Sequence, residues 1–533
     1  MLDAIIISDI GGDSFSVSSA MRLKLNRKVA LLQDISHAIN KNEKNTFNKK
    51  GNDHPNWQSA PKLNGIALFS YLDRHGYKTD IIDSFFDEIE HFKELVKLDP
   101  RAIIISTTFI TNKSSLIKIS KEIRKIAPKS IIIAGGPFVF SSYTLYDLEK
   151  DNDYDTTSPK KDYLFLSEES IPDIDLFIID KTGERALLNT LDAIKNNIPF
   201  DKIKNIAFWN KNELVLTERQ NYEIPRIKYA WEKLPDRFFK NSVINVQAST
   251  GCPYYCEFCN FVKDRSLTYL KPLDELVNEL KVLKRRGIRY VRFIDDNFRL
   301  GRDDLNQVCK TFITENIGIK WMSFIRASTL AKTDLELLKN AGCVEAQMGI
   351  ESADKNILKE MNKEAEPELY RKVIQGLLKV GINCSCCFIF GFPGETSETV
   401  TKTVNFINTI QEDSHEGIFF WSIYPFLFAP LSPIYTKEKR AKYNLEGYLG
   451  KWQHTTMTSE EAQKHIMDAF LNIDNASPIY SGDDLNMLFE LSPKNRKEFM
   501  KQRHKLSKRF LNKEVDVPSL SKAFSHILSA APK

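Results

Sequence analysis

Three of the chain's eight cysteines, Cys252, Cys256 and Cys259, fall within eight positions in "ASTGCPYYCEFCNF" (248–261). Thiolates so spaced suit a metal site, yet three are one short of the four N or S ligands of a closed zinc site. No histidine stands between His91 and His415 and no second cysteine pair follows at finger spacing, which argues against a zinc finger. Buried, unliganded cysteines are the bland alternative. An iron–sulfur cluster fits better: a [4Fe–4S] cube is closed by four cysteines, and three leave one iron open to a small chelating ligand. Cys384, Cys386 and Cys387 alternate along an apparent strand, with the first two on one face, and read as core packing.

The elements that must position these residues come in two alternating series. Up to about residue 200, the runs "AIIISDI" (4–10), "TDIIDS" (79–84), "AIIIST" (102–107), "SIIIAGG" (130–136) and "DLFIID" (175–180) alternate with helix-period stretches. Runs apolar on both faces and separated by helices predict a doubly wound parallel sheet, with ligands at the carboxyl ends of its strands. A polar span over 11–61 interrupts it as an insertion or lid, and "IKNIAFWNKNELVLTER" (203–219) reads as a linking hairpin. A second series follows: "VINVQAST" (243–250), "YVRFIDDN" (290–297), "KWMSFIRAS" (320–328), "VEAQMGIES" (344–352), "INCSCCFIFGF" (382–392) and "GIFFWSIYPFLF" (417–428). Six strand–helix units predict a partial (β/α)6 barrel, whose chemistry collects at the loops after the strands. The cysteine cluster lies after the first of those strands. The expected division is a Rossmann-like α/β domain over 1–200, a linker hairpin over 201–240, the barrel over 241–430 and a mostly helical substrate-side region over 431–533.

Bulk properties narrow the function further. At 533 residues and 42% apolar content the chain has material for several cores. Lys+Arg at 75 against Asp+Glu at 70 leaves too little net charge for a diffuse nucleic-acid surface, and the basic run over 494–510 reads as a solvated helix. The amino terminus lacks a basic leader, and the run over 418–428 is too short to span a bilayer, which takes about 20 residues. A cytoplasmic monomer acting on a small molecule, with no nucleic acid and no membrane partner, is the expectation.

The C-x3-C-x2-C spacing, with Phe258 as the aromatic in "CEFC", resembles the radical S-adenosylmethionine (SAM) superfamily. The resemblance implies a [4Fe–4S] cluster whose open iron takes the amino and carboxylate groups of SAM. It further implies SAM contacts from Asp295, Asp296 and Asn297 in "FIDDNF", Arg326 after the third strand, Glu351 and Ser352 in "GIES", and Pro393 and Gly394 in "GFPGET". A doubly wound domain ahead of such a barrel is similar to the cobalamin-binding radical SAM enzymes. There "STT" (Ser106, Thr107, Thr108) takes the Ser-x-Leu place, and after 109–134 come Gly135, Gly136 and Pro137, with Gly183 and Glu184 where the family has Gly-Glu-Gly-Glu. The Asp-x-His-x-x-Gly loop is absent, so a bound cobalamin would lack a histidine lower ligand.

The activity implied is reductive cleavage of SAM, hydrogen abstraction by the 5′-deoxyadenosyl radical, and methylation of an unactivated carbon from methylcobalamin. An electron donor such as flavodoxin or ferredoxin is implied with it. Cyclisation or rearrangement without methyl transfer, and a non-catalytic iron–sulfur or corrinoid carrier, are the alternatives. A methylthiotransferase would carry cysteines in its first domain, and this chain has none before Cys252. Tyr424, Tyr435, Trp452 and His454 are candidates to line the substrate pocket, although core packing suits each of them better.

Overall fold

Isoleucine runs build the first sheet because both of its faces are buried. Strands β1 (Ala4–Ile7), β2 (Thr79–Ile82), β3 (Ala102–Ser106), β4 (Ile131–Gly135) and β5 (Leu176–Ile178) pair in the order β2-β1-β3-β4-β5, every pair parallel. The period-two alternation divides each strand between two cores. Ile5, Ile7, Ile103, Ile105, Ile132 and Phe177 pack with Leu116, Ile119 and Ile123 of the helix Lys113–Ile126. Ala4, Ile6, Ile104, Ile133, Leu176 and Ile178 pack on the opposite face with Leu187, Leu188 and Leu191 of the helix Glu184–Lys195. Helices on both faces make the sheet doubly wound. Its order reverses between β1 and β3, which puts the ligand crevice of such sheets at their carboxyl ends. The expected hairpin forms as β6 (Ile206–Asn210) and β7 (Glu213–Leu216), and it extends this sheet antiparallel to β5.

The computed structural model describes residues 2–11, 21–42, 60–150, 154–167, 171–211, 213–223, 226, 228–260, 268–301, 304–363, 365–410, 416–480 and 491–528. Two compact units divide the chain: Met1–Ser14, Pro61–Leu234 and Tyr435–Lys439 form one, and Phe15–Ala60, Pro235–Ile434 and Arg440–Lys533 the other.

In the second unit β8 (Val243–Val246), β9 (Tyr290–Phe293), β10 (Lys320–Phe324), β11 (Cys343–Glu351), β12 (Asn383–Phe390) and β13 (Phe419–Pro425) pair in sequential order, all parallel. A short strand, β14 (Ser477–Pro478), joins β13 and was not legible in the sequence. Helices follow the strands with side-chain caps where the chain turns back: Asp304, Asp334 and Asp354 each accept from backbone N–H groups, and Thr396 forms a capping box. Most of the polar span over 11–61 lies outside the described residues. Its described part, 21–42, packs in the second unit: Leu23, Leu32, Ile35 and Ile39 join Ile418 and Phe420 of the β13 segment and Phe499 and Phe524 of the carboxy-terminal helices.

After 431 the helices Lys437–Tyr443, Ser459–Asn472, Pro493–Arg509 and Val517–Leu528 make up most of the described residues, but the most distinctive stretch is not helical. "KWQHTTM" forms part of a three-stranded meander, Glu446–Tyr448, Lys451–His454 and Met457–Thr458, and its helix begins only at Ser459. The physical reason is legible afterwards: Trp452 and His454 are buried while Lys451 and Gln453 are exposed, a period of two, and Leu449, at a φ of 51°, and Gly450 turn the chain between the first two strands.

Candidate active site

The three cysteines sit on a loop tied down from several sides. Asp295, after β9, accepts from Ala248 N at 2.8 Å, Ser249 Oγ at 2.5 Å and Arg299 N at 3.0 Å. Asp296 accepts from Gly251 N at 3.1 Å. Farther along the loop, Glu257 N donates to Met361 O at 3.0 Å, Asn362 Nδ2 to Tyr255 O at 2.6 Å, and Ile434 N to Glu257 O at 3.1 Å.

Beside the loop opens a cavity of about 220 Å³. Cys252, Cys256, Cys259, Phe258, Asp296, Asn297, Arg326 and Glu351 all line it, so eight of the residues expected at a cluster and its SAM come together. Phe324, Ser328, Lys363 and Tyr370 line it as well and were missed. They stand in no recognisable motif: Phe324 ends β10, Ser328 and Tyr370 lie on the helices Ala327–Leu330 and Pro367–Lys379, and Lys363 follows the turn after residue 360.

Four expected SAM contacts do not line the cavity. Asp295 is 2% exposed and committed to the loop contacts described above. The Ser352 hydroxyl accepts from Asp354 N at 3.1 Å and supports the start of the next helix. Pro393 and Gly394 lie in a loop held from behind: Gly391 N donates to Glu395 Oε2 at 2.6 Å, and His454 Nε2 donates to Gly391 O at 3.1 Å.

The electrostatics of the cavity are those of a half-dry site. Burial pushes the Cys252 thiol up, and it raises Asp296 to about 6. Arg326 lies over the Tyr254 ring at 3.5 Å, and Glu351 Oε1 is paired with Lys363 Nζ at 2.7 Å. Asn297 is 2% exposed, and both polar atoms of its amide are buried without a hydrogen-bond partner. Such a group calls for a polar ligand. Among the described residues no three His, Cys, Asp or Glu side chains converge as they would on a single metal ion. A [4Fe–4S] cube takes each thiolate on a different iron, so its ligands need not converge on a point. The donor set and the unpartnered amide fit a cluster with one open iron and a small chelator on it.

In the first unit the expected corrinoid residues gather at the carboxyl ends of β3, β4 and β5. Ser106 Oγ lies 3.1 Å from Thr108 Oγ1, and Asn64, which was missed, donates from Nδ2 to Ser106 Oγ at 2.8 Å and to Ser8 O at 2.7 Å. That amide spans β1 and β3, the place where the strand order reverses. Thr107 is turned inward instead, its N and Oγ1 both donating to Gly135 O. Gly135 is required by packing, since a Cβ there would stand 3.0 Å from that of Ile178, whereas Gly136 takes a φ of 111° before Pro137 opens a helix. Gly183, at a φ of 78°, precedes the helix that Glu184 begins. Burial raises Glu184 to about 7; its Oε2 and the Oγ1 of Thr182 are buried without partners. These orphaned atoms and the cradle at Gly136 fit a ligand with many amide groups.

Three of the four substrate candidates are corrected to packing roles. Trp452 donates from Nε1 to Phe426 O at 2.8 Å and stacks on His454 at 5.2 Å, and both are buried. Tyr435 is fully buried beside Tyr154. Aromatic size and polarity could not tell a pocket wall from a core. Tyr424 alone stays open, 42% exposed at the end of β13. Cys384 and Cys386 are buried with sulfurs 3.5 Å apart, and Cys387 faces the other way.

The Radical SAM superfamily model matches residues 246–407. An uncharacterized methyltransferase of Pyrococcus horikoshii is 24% identical over 441 residues, 78% of this chain and 88% of that protein. The anaerobic magnesium-protoporphyrin IX monomethyl ester cyclase of Cereibacter sphaeroides is 26% identical over 413 residues, 71% of this chain and 62% of the cyclase. Among solved structures, the cobalamin-dependent S-adenosylmethionine radical enzyme OxsB with aqua-cobalamin bound is similar in fold. It aligns with a TM-score of 0.56 at 13% identity, covering 99% of this chain and 84% of that one. Residues 246–407 of the chain are a radical SAM domain, which implies a [4Fe–4S] cluster and SAM.

Proposed function

We propose that the protein is a cobalamin-dependent radical SAM enzyme that methylates an unactivated carbon of a small molecule. The observation that carries the reading is the cysteine loop opening on a cavity that also holds an unpartnered buried amide, Asn297, and a guanidinium, Arg326. In this reading the doubly wound domain over 1–200, apart from insertion residues 21–42 that pack in the second unit, binds the corrinoid, and 201–240, whose hairpin extends that domain's sheet, lead to the barrel over 241–430. Residues 431–533 close the substrate side. When bound, the cluster and SAM would supply radical chemistry and the corrinoid a methyl group.

The chain's own residues bind and orient. Cys252, Cys256 and Cys259 hold the cluster. Arg326, fixed against Tyr254, presents a planar fork to the SAM carboxylate. Asn297 and Asp296 offer acceptors to its amino group, and Phe324 and Tyr370 keep water from the cavity. Ser106, Thr108, Asn64, Thr182 and Glu184 offer hydrogen bonds to the corrinoid. A flavodoxin- or ferredoxin-like protein supplies electrons.

Anaerobic reconstitution followed by SAM and a strong reductant tests the core of this reading, and absence of 5′-deoxyadenosine with every substrate candidate overturns it. Corrinoid absorbance that never survives gel filtration overturns the methyl-transfer part alone. Likeness to a cyclase keeps one second reading in play. With methyl-labelled SAM, a product that gains the label is a methylation product, and one that gains no carbon is a cyclisation or rearrangement product.

A further inference from the structure

The turn after the helix Lys355–Glu360 is bound to the cysteine loop at two points: Glu257 N donates to Met361 O at 3.0 Å and Asn362 Nδ2 to Tyr255 O at 2.6 Å. Asn362 takes a left-handed φ of 53°, and Lys363 follows it into the cavity wall beside Cys256. There Lys363 Nζ is 2.7 Å from Glu351 Oε1, each side chain 10% exposed, in the cavity that Cys252, Cys256 and Cys259 also line.

This arrangement is costly in three ways. A buried ion pair loses about as much solvation as it gains in attraction, and apolar residues of the same volume often serve stability better. Glu351 takes a φ of 68° at a bulge in β11, a strained conformation for a residue with a side chain. A side chain at Gly349 would also displace the pair, since a Cβ there would lie 2.2 Å from Glu351 Oε1 and 3.0 Å from Lys363 Nζ. All three costs keep one ammonium beside one cysteine.

We propose that Lys363, held by Glu351, is a positioning charge that sets the reduction potential of the cluster on Cys252, Cys256 and Cys259. The inference rests on the proposed reading of those cysteines as cluster ligands. A cluster's potential follows the net charge around it. The ammonium favours the added electron and Glu351 opposes it, so the two residues pull the potential in opposite directions.

The test is a redox titration of the full chain after anaerobic reconstitution, followed by the EPR signal of the reduced cluster. SAM is left out, so that any contact of Lys363 with SAM does not enter. Lys363→Gln is expected to lower the reduced-to-oxidised ratio about tenfold at a given solution potential, a shift of about 59 mV for one electron. Lys363→Arg, which keeps the charge, is expected to restore it, and Glu351→Gln to shift the midpoint upward. Titration of Lys363→Gln with the wild type, or shifts of Lys363→Gln and Glu351→Gln in the same direction, overturns the inference alone. Should Lys363→Gln take up no cluster, an unmoved or lowered midpoint in Glu351→Gln does the same. A wild-type chain that takes up no cluster overturns the functional reading and this inference with it.

Discussion

Replacing Asp295 with alanine separates a structural strut from a SAM contact. The carboxylate accepts three hydrogen bonds, from Ala248 N, Ser249 Oγ and Arg299 N, at a site 2% exposed. Asp295→Ala strands three donors, each worth about 1–3 kcal/mol when left buried and unpaired. The sum overstates the effect, because burial disfavours the charged form and raises its pKa, and because water can enter the space left behind. A net loss of about 3 kcal/mol in local stability is expected, roughly a 150-fold rise in opening of the loop. Hydrogen exchange over residues 248–260, read by mass spectrometry on the cluster-free chain, measures it. Iron and sulfide content after reconstitution should fall with it. Asp295→Asn keeps an acceptor and should lose about 1 kcal/mol. Unchanged exchange and full iron content in Asp295→Ala, with only a raised KM for SAM, would refute the strut and restore the contact.

Alanine at Cys252, Cys256 or Cys259 should abolish cluster uptake, read by iron content and visible absorbance, while corrinoid retention on gel filtration stays near wild type. Glu395 is held at about 8, by burial above all, against an ordinary carboxyl value near 4.5. Its raised folded pKa gives stability that is full below about pH 4.5 and is lost as pH rises through about 8, a swing on the order of 5 kcal/mol. Glu395→Gln, which can still accept from Gly391, should flatten that part of the stability–pH curve in denaturant titrations; an unchanged slope counts against the burial argument. Trp452→Ala should cost about 3–5 kcal/mol of stability through a core cavity, with a matching loss in thermal midpoint, rather than a selective change in substrate KM.

Backbone patterns were the most legible part of the sequence. The β-branched runs of the first sheet announce strands buried on both faces, and every expected run, such as "AIIIST" around β3, holds one. The cysteine spacing was equally plain. What failed were residues whose work depends on who their neighbours become. Asp295 and Asp296 are adjacent and chemically alike, yet alternation turns one under the loop and the other into the cavity. Lys363 and Tyr370 reach the cavity through tertiary packing that leaves no periodic trace. Trp452 and His454 looked like pocket aromatics because composition cannot show that Gly391 needs a roof: a Cβ there would lie 2.3 Å from the Trp452 ring.

An unpartnered polar atom does not mark a site by itself. Glu395 Oε1 is as orphaned as the amide of Asn297, but Glu395 lines no described cavity, and burial favours its neutral form. Deeper between the strands, Glu345 is fully engaged at Oε1, by Ser385 at 2.7 Å and Gln347 at 3.2 Å. Polar groups there are satisfied by their own strands. At the mouth an open amide, a stacked guanidinium, a strained glutamate and three thiols face one space. Local rules broken together in one place, while they hold nearby, point to a ligand that completes them. Asn297→Leu tests that argument directly: it keeps much of the shape, removes both unpartnered polar atoms, and should weaken SAM binding while sparing cluster uptake.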